Sequence, residues 1–88
     1  MTSMYEDQLE DAAKNKAIRQ FILRQMTPEK FGLVVILTWK DGENVLFNAR
    51  KQVRLWPNLN TLAGYIRGLK CHQTPISLEL DYDSTDDT

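Results

Sequence analysis

The apolar positions of the chain change rhythm along its length. Between Tyr5 and Met26 there is no Gly or Pro, and Ala, Leu, Gln, Lys, Arg and Glu dominate. These residues favour a helix. Ser3 followed by Glu6 fits a capping box and predicts a helix start near Met4. Acids crowd the first turns and bases come later, as the helix dipole prefers. The apolar residues fall on two faces. Tyr5, Leu9, Ala12 and Ala13 share one, and Ile18, Phe21, Ile22 and Met26 share another. At about 100° per residue these lie on roughly opposite sides of a straight helix. Three arrangements fit: a break near Asn15, a long helix that offers Tyr5 and Leu9 to a partner, or an N-terminal extension. Thr27-Pro28 is expected to end the helix.

Past Pro28 the period shortens. Phe31 to Trp39 is dense in β-branched and aromatic residues and apolar on both alternating sets, which predicts a central strand. Lys40-Asp41-Gly42-Glu43 signals a hairpin turn, and Asn44 to Ala49 the return strand. Arg50 to Trp56 reads as a short third strand or an extended connection. Leu59, Leu62, Ile66 and Leu69 form a helical stripe, capped by Asn58 or Asn60. Gly64 within it suggests close approach to the sheet, and Gly68 a role in the C-cap. Ile76, Leu78, Leu80 and Tyr82 alternate with Ser77, Glu79 and Asp81, which predicts a half-buried strand with one wet face.

These elements predict an α+β fold of order α-β-β-(β)-α-β, with helices packed mainly on one face of a short antiparallel or mixed sheet. The expected organisation is one domain: a helical segment 1–30, an α+β core 31–82 and an acidic tail 83–88 without fixed structure. A chain of 88 residues buries only about two-thirds of its unfolded surface. Its core is therefore thin, and a second copy or a partner would help to hold it.

Charge refines this picture. The net charge is −1. It is distributed unevenly: residues 1–27 balance, 28–72 are basic, and the acids Glu79, Asp81, Asp83, Asp86 and Asp87 close the chain. No stretch approaches the roughly 18 apolar residues of a membrane span. The N-terminus has no basic region leading into an apolar run, and Cys71 has no internal partner. Both features point to the cytoplasm.

Candidate chemistry is sparse. Nucleophilic catalysis needs a nucleophile, a base and a group that orients the base. The single cysteine and single histidine, Cys71 and His72, are chain neighbours and make a poor dyad. A metal site needs three or four suitably spaced ligands, and no glycine-rich phosphate loop is present. No catalytic, metal or cofactor site is expected. Two surfaces remain. Tyr5 and Leu9 are candidates for binding a protein partner or a second copy. Lys40, Arg50, Lys51, Arg54 and Trp56, with Arg67 and Lys70 near, are candidates for nucleic acid, combining cations with an aromatic for stacking.

One further pattern bears on function. Leu33 to Trp39 leads into Lys40-Asp41-Gly42. Asn48-Ala49-Arg50 comes next, then Trp56 before Leu59-Asn60-Thr61-Leu62, and Ile76-Ser77-Leu78-Glu79-Leu80 closes the run. This stretch, about residues 31–80, resembles small accessory proteins of bacterial plasmids and integrative elements, some of them described as partition-associated. The resemblance implies a mobile-element accessory or regulatory protein and transfers no functional residue. The expectation from sequence is thus a non-enzymatic protein that acts through protein–protein contact, with nucleic-acid binding as the alternative.

Overall fold

The computed structural model describes residues 2–80. The expected end of the last strand at Asp81 and Tyr82, and the tail 83–88, lie outside the described residues. The elements are β1 (Thr2–Tyr5), α1 (Glu6–Lys14), β2 (Ile18–Thr27), β3 (Lys30–Leu37), β4 (Asn44–Phe47), α2 (Leu59–Gly68) and β5 (Ile76–Glu79). The fold is α+β, with a five-stranded mixed sheet in the order β1-β4-β3-β2-β5. The two outer strands run parallel to their neighbours, and the inner pairings are antiparallel.

Of the three arrangements, the break near Asn15 is the one found, but the segment after it is a strand and not a second helix, and the first half packs on the sheet. α1 starts at Glu6, not near Met4, and Ser3 belongs to a strand. The Gln8 side chain accepts from the Tyr5 N–H at 2.8 Å. The helix ends after nine residues. Lys16 adopts φ 55°, its N–H donates to Ala13 O at 3.2 Å, and the Ala17 N–H donates to Ala12 O at 2.9 Å. That paired closure is a Schellman ending, with lysine in the left-handed position that glycine usually holds.

The second half of the expected helix is a strand, β2. Ile18 pairs with Leu37 and Gln20 with Ile36, so the register shifts by one residue around Arg19. The irregularity brings Ile18 onto the face of Phe21 and Leu23, while Ile22 is buried on the other. Apolar positions 18, 21 and 22 thereby acquire the spacing of a helix while lying in a strand. Pro28 and Glu29 form the tip of the β2–β3 hairpin, with Thr27 opposite Lys30.

Both helices cover one face of the sheet. Leu9 of α1 and Leu62 and Ile66 of α2 pack with Met4, Phe21, Leu23, Leu33, Val35, Leu37 and Leu46 in one core. On the other face Ile22, Val34 and Val45 form a smaller cluster with no helix residue in it. The β3–β4 connection passes through Gly42 at φ 102°, a conformation open to glycine. Asn44 is buried, and its Nδ2 donates to Val35 O at 3.1 Å. The stretch 50–56 makes single bridges, Val53 to Phe47 and Trp56 to Phe31.

α2 is capped by Asn58, whose Oδ1 accepts from the Thr61 N–H at 2.9 Å. Its C-terminal left-handed residue is Lys70, at φ 60°, and not Gly68. Gly64 does not mediate close approach, because a Cβ built there would meet nothing within 4 Å. Its only evident effect is the cost of glycine in a helix interior. Gly64→Ala is therefore expected to stabilise the domain by about 1 kcal/mol, read as a higher urea midpoint at unchanged slope. A lower midpoint would mean that the helix packs more closely there than these distances allow.

Candidate interaction surface

β5 forms one edge of the sheet. Its register against β2 pairs Phe21 with Ile76, Ile22 with Ser77, Leu23 with Leu78 and Arg24 with Glu79. Ile76 and Leu78 thus lie on the helix-covered side. The helices, however, make their main contacts with β1, β4 and β3 and not with β5. Ile76, Leu78 and Leu80 remain 52%, 48% and 59% exposed. The expected alternation is present, but the burial expected with it is not: the apolar set is the more exposed one. Ser77 and Glu79, expected to be wet, turn to the opposite face and are bound there. The Ser77 hydroxyl meets the Gln20 amide, and Glu79 Oε1 accepts from Arg24 Nε at 2.6 Å.

The backbone of β5 is equally one-sided. In a parallel ladder only alternate residues of a strand bond to a given neighbour, each to the two that flank its partner. The Phe21 N–H donates to Pro75 O at 3.0 Å, so Ser77 and Glu79 turn their backbone groups toward β2. Ile76 and Leu78 turn theirs to the edge, where no described residue pairs with them, and the same alternation extends to Leu80. The same edge therefore presents apolar side chains and, among the described residues, unpaired backbone groups.

Arg24 fixes this arrangement. Its guanidinium also donates to both Glu43 oxygens, at 2.9 and 2.7 Å. Hydrogen bonds donated to the Glu43 and Glu79 carboxylates hold the Arg24 guanidinium protonated well above its ordinary range. The Arg24 hydrogen bonds hold the Glu43 carboxyl below its own, with partial burial opposing.

Beside the edge, the 13–19 turn and the 70–75 loop enclose a cleft of about 590 Å³. Lys16, Arg19, Lys70 and His72 line it with Cys71 and Pro75, and no carboxylate does. The Lys16 and Lys70 that end the two helices thus meet at one cationic site.

The residues singled out from sequence are dispersed. Leu9 is fully buried in the core and has no surface to offer a partner, because α1 is docked on the sheet. Tyr5 is half-buried at the start of α1, edge-on to Phe47 with ring centroids 6.1 Å apart. The five nucleic-acid candidates do not converge. Lys40 follows the C-terminal end of β3, whereas Arg50 and Lys51 follow that of antiparallel β4, at the opposite end of the sheet. Trp56 is 6% exposed. The Arg54 guanidinium lies 4.8 Å from both the Trp56 and Tyr65 ring centroids and 3.1 Å from Glu6 Oε2. The aromatic surface a base would stack on is already occupied by this cation. Burial, assisted by the neighbouring Glu6 carboxylate, pushes the Tyr65 phenol up to about 12.

Sequence reasoning missed the cationic cleft because Lys16, Arg19, Lys70 and His72 are far apart along the chain. Of its cations, only Lys70 is among the residues that the sequence singles out. Among the described residues, no group of three His, Cys, Asp or Glu could hold a metal ion, and no helix is long and apolar enough to cross a membrane. Fold and surface together define a small α+β domain with one open, apolar sheet edge. Comparisons with protein-family models, curated proteins and solved structures find no match.

Proposed function

We propose that this is a small non-enzymatic accessory or regulatory protein, cytoplasmic and carried by a bacterial mobile element, that acts by binding another polypeptide along β5. The observation that carries the reading is the coincidence of exposed apolar side chains at Ile76, Leu78 and Leu80 with a β5 backbone that, among the described residues, has no partner on its outer side. An edge strand in that condition is a template for strand addition. The occupant is an extended segment with apolar side chains at alternate positions. The mobile-element setting rests on the resemblance of residues 31–80. The non-catalytic reading is supported by the sequence, which supplies one cysteine and one histidine, adjacent to each other.

The test is quantitative capture from cells of origin with the tagged full chain and with Ile76→Lys/Leu78→Lys. Both substituted positions are exposed, so the fold should persist, as circular dichroism would check. A polypeptide retained by the native chain and lost by the variant is the expected result. Identical retention by both would overturn strand addition.

A further inference from the structure

We propose that the strand added to β5 is β5 of a second copy, so that two chains form one continuous ten-stranded sheet. This rests on the strand-addition reading above and names the partner.

The edge is self-complementary in one antiparallel register. Among the described residues of the edge, Ile76 and Leu78 turn both backbone groups outward and the alternation extends to Leu80, so a two-fold pairing matches these residues with one another. Centring it on Ser77 sets Leu80 against the partner's Thr74, and leaves it without an apolar neighbour. Centring it on Glu79 puts that carboxylate directly opposite its own copy, which is destabilising. Centring it on Leu78 places Leu78 against the partner's Leu78, and Ile76 against the partner's Leu80. All six exposed apolar side chains then meet on the helix side of the joined sheet. Glu79 faces the partner's Ser77, and its charge is already paired with Arg24.

Charge favours a second copy over an unrelated strand. Past Leu80 the sequence reads Asp81-Tyr82-Asp83-Ser84-Thr85-Asp86-Asp87-Thr88, with four acids and no base. The cleft beside the edge is lined by Lys16, Arg19, Lys70 and His72 with no carboxylate. Each copy thus supplies both halves of a charge match, an anionic segment that follows β5 in sequence and a cationic cleft beside β5.

Sedimentation equilibrium of the full chain is expected to show a dimer. Ile76→Lys/Leu78→Lys should weaken it about a hundredfold or more, because cations would meet across the two-fold. Raising ionic strength from about 0.02 to about 0.5 M should weaken it roughly three- to tenfold. Register is read separately by cross-linking in a Cys71→Ser background. Leu78→Cys should form an intermolecular disulfide under mild oxidation, since facing Cα atoms in such a pair lie about 5.5 Å apart. Ser77→Cys and Glu79→Cys should not. A monomer at all concentrations, or a dimer indifferent to the edge variant, would overturn the second copy as partner. Cross-linking at 77 or 79 in place of 78 would overturn the register. A monomer that still captures a different polypeptide through β5 leaves strand addition standing, so the two readings fail separately.

Discussion

Leu9→Ala is expected to destabilise the domain by about 2–5 kcal/mol, the usual cost of deleting a fully buried leucine side chain. Leu9 is the one buried residue of α1. It enters the same cluster as Met4, Leu33 and Leu46 and joins the first helix to the sheet. A domain of this size has a total stability of roughly 4–13 kcal/mol, so one such cavity removes a large share of it. The sequence reading of Leu9 as a partner contact makes the opposite forecast: little change in stability and a loss of association. Urea denaturation separates the two. It should be run in the Ile76→Lys/Leu78→Lys background, so that mass action from self-association does not add to the apparent stability. A loss under about 1 kcal/mol would mean that α1 is not docked as described.

The misreading of Leu9 stems from the misreading of residues 18–27, and the physical cause is specific. A strand buried on both faces has no simple period of two, and the irregularity at Arg19 supplies an apparent period near 3.6. Composition reinforced the error, since Arg, Gln, Leu and Met all favour helices. The true stop at Asn15-Lys16 carries no glycine or proline signal, because lysine takes the left-handed position. Once 18–26 is taken as helix, Leu9 appears to lie on the wrong side of it. In the fold it lies on the correct side of a separate, shorter helix.

Where local chemistry decided the structure, the sequence was informative. β3, β4 and the Asn58 cap of α2 lie where β-branched runs and the capping residue place them, whereas the expected tight Asp41-Gly42 hairpin turn is replaced by a longer connection, residues 38–43, with Gly42 at φ 102°. β5 was legible as a strand from its alternation, but not its exposure, because alternation reports two faces and not which face a helix covers. That depends on where α1 and α2 settle, and they settle mainly over β1, β4 and β3 and not over β5. The interaction surface was therefore spelled out residue by residue in the sequence yet became recognisable as a surface only when strand order made β5 an edge. Gln20 and Arg24 complete it by taking the polar residues of β5 to the opposite side.

Arg24→Met is accordingly expected to cost about 1–3 kcal/mol near neutral pH, through three charge-assisted hydrogen bonds weighed against partial exposure of the group. The substitution retains an unbranched apolar stem but leaves Glu43 and Glu79 without their shared cation. The pH dependence carries the more specific signature. Hydrogen bonding from Arg24 lowers the folded-state pKa of Glu43 below the ordinary value of 4.5. A carboxyl lowered in the folded state adds stability that is complete above its unfolded pKa and is lost as pH falls through the folded one. The stability gap between the native chain and Arg24→Met should therefore be constant at neutral pH and narrow on acidification below about 4.5. Glu43→Gln should remove most of that narrowing, and combining it with Arg24→Met should cost less than the sum of the two single changes. A gap that stays constant down to the acid transition would show that Arg24 contributes only its packing. Glu79 would then lack the ion pair that holds it away from the apolar side of β5, and the orientation of the edge would depend on the backbone ladder alone.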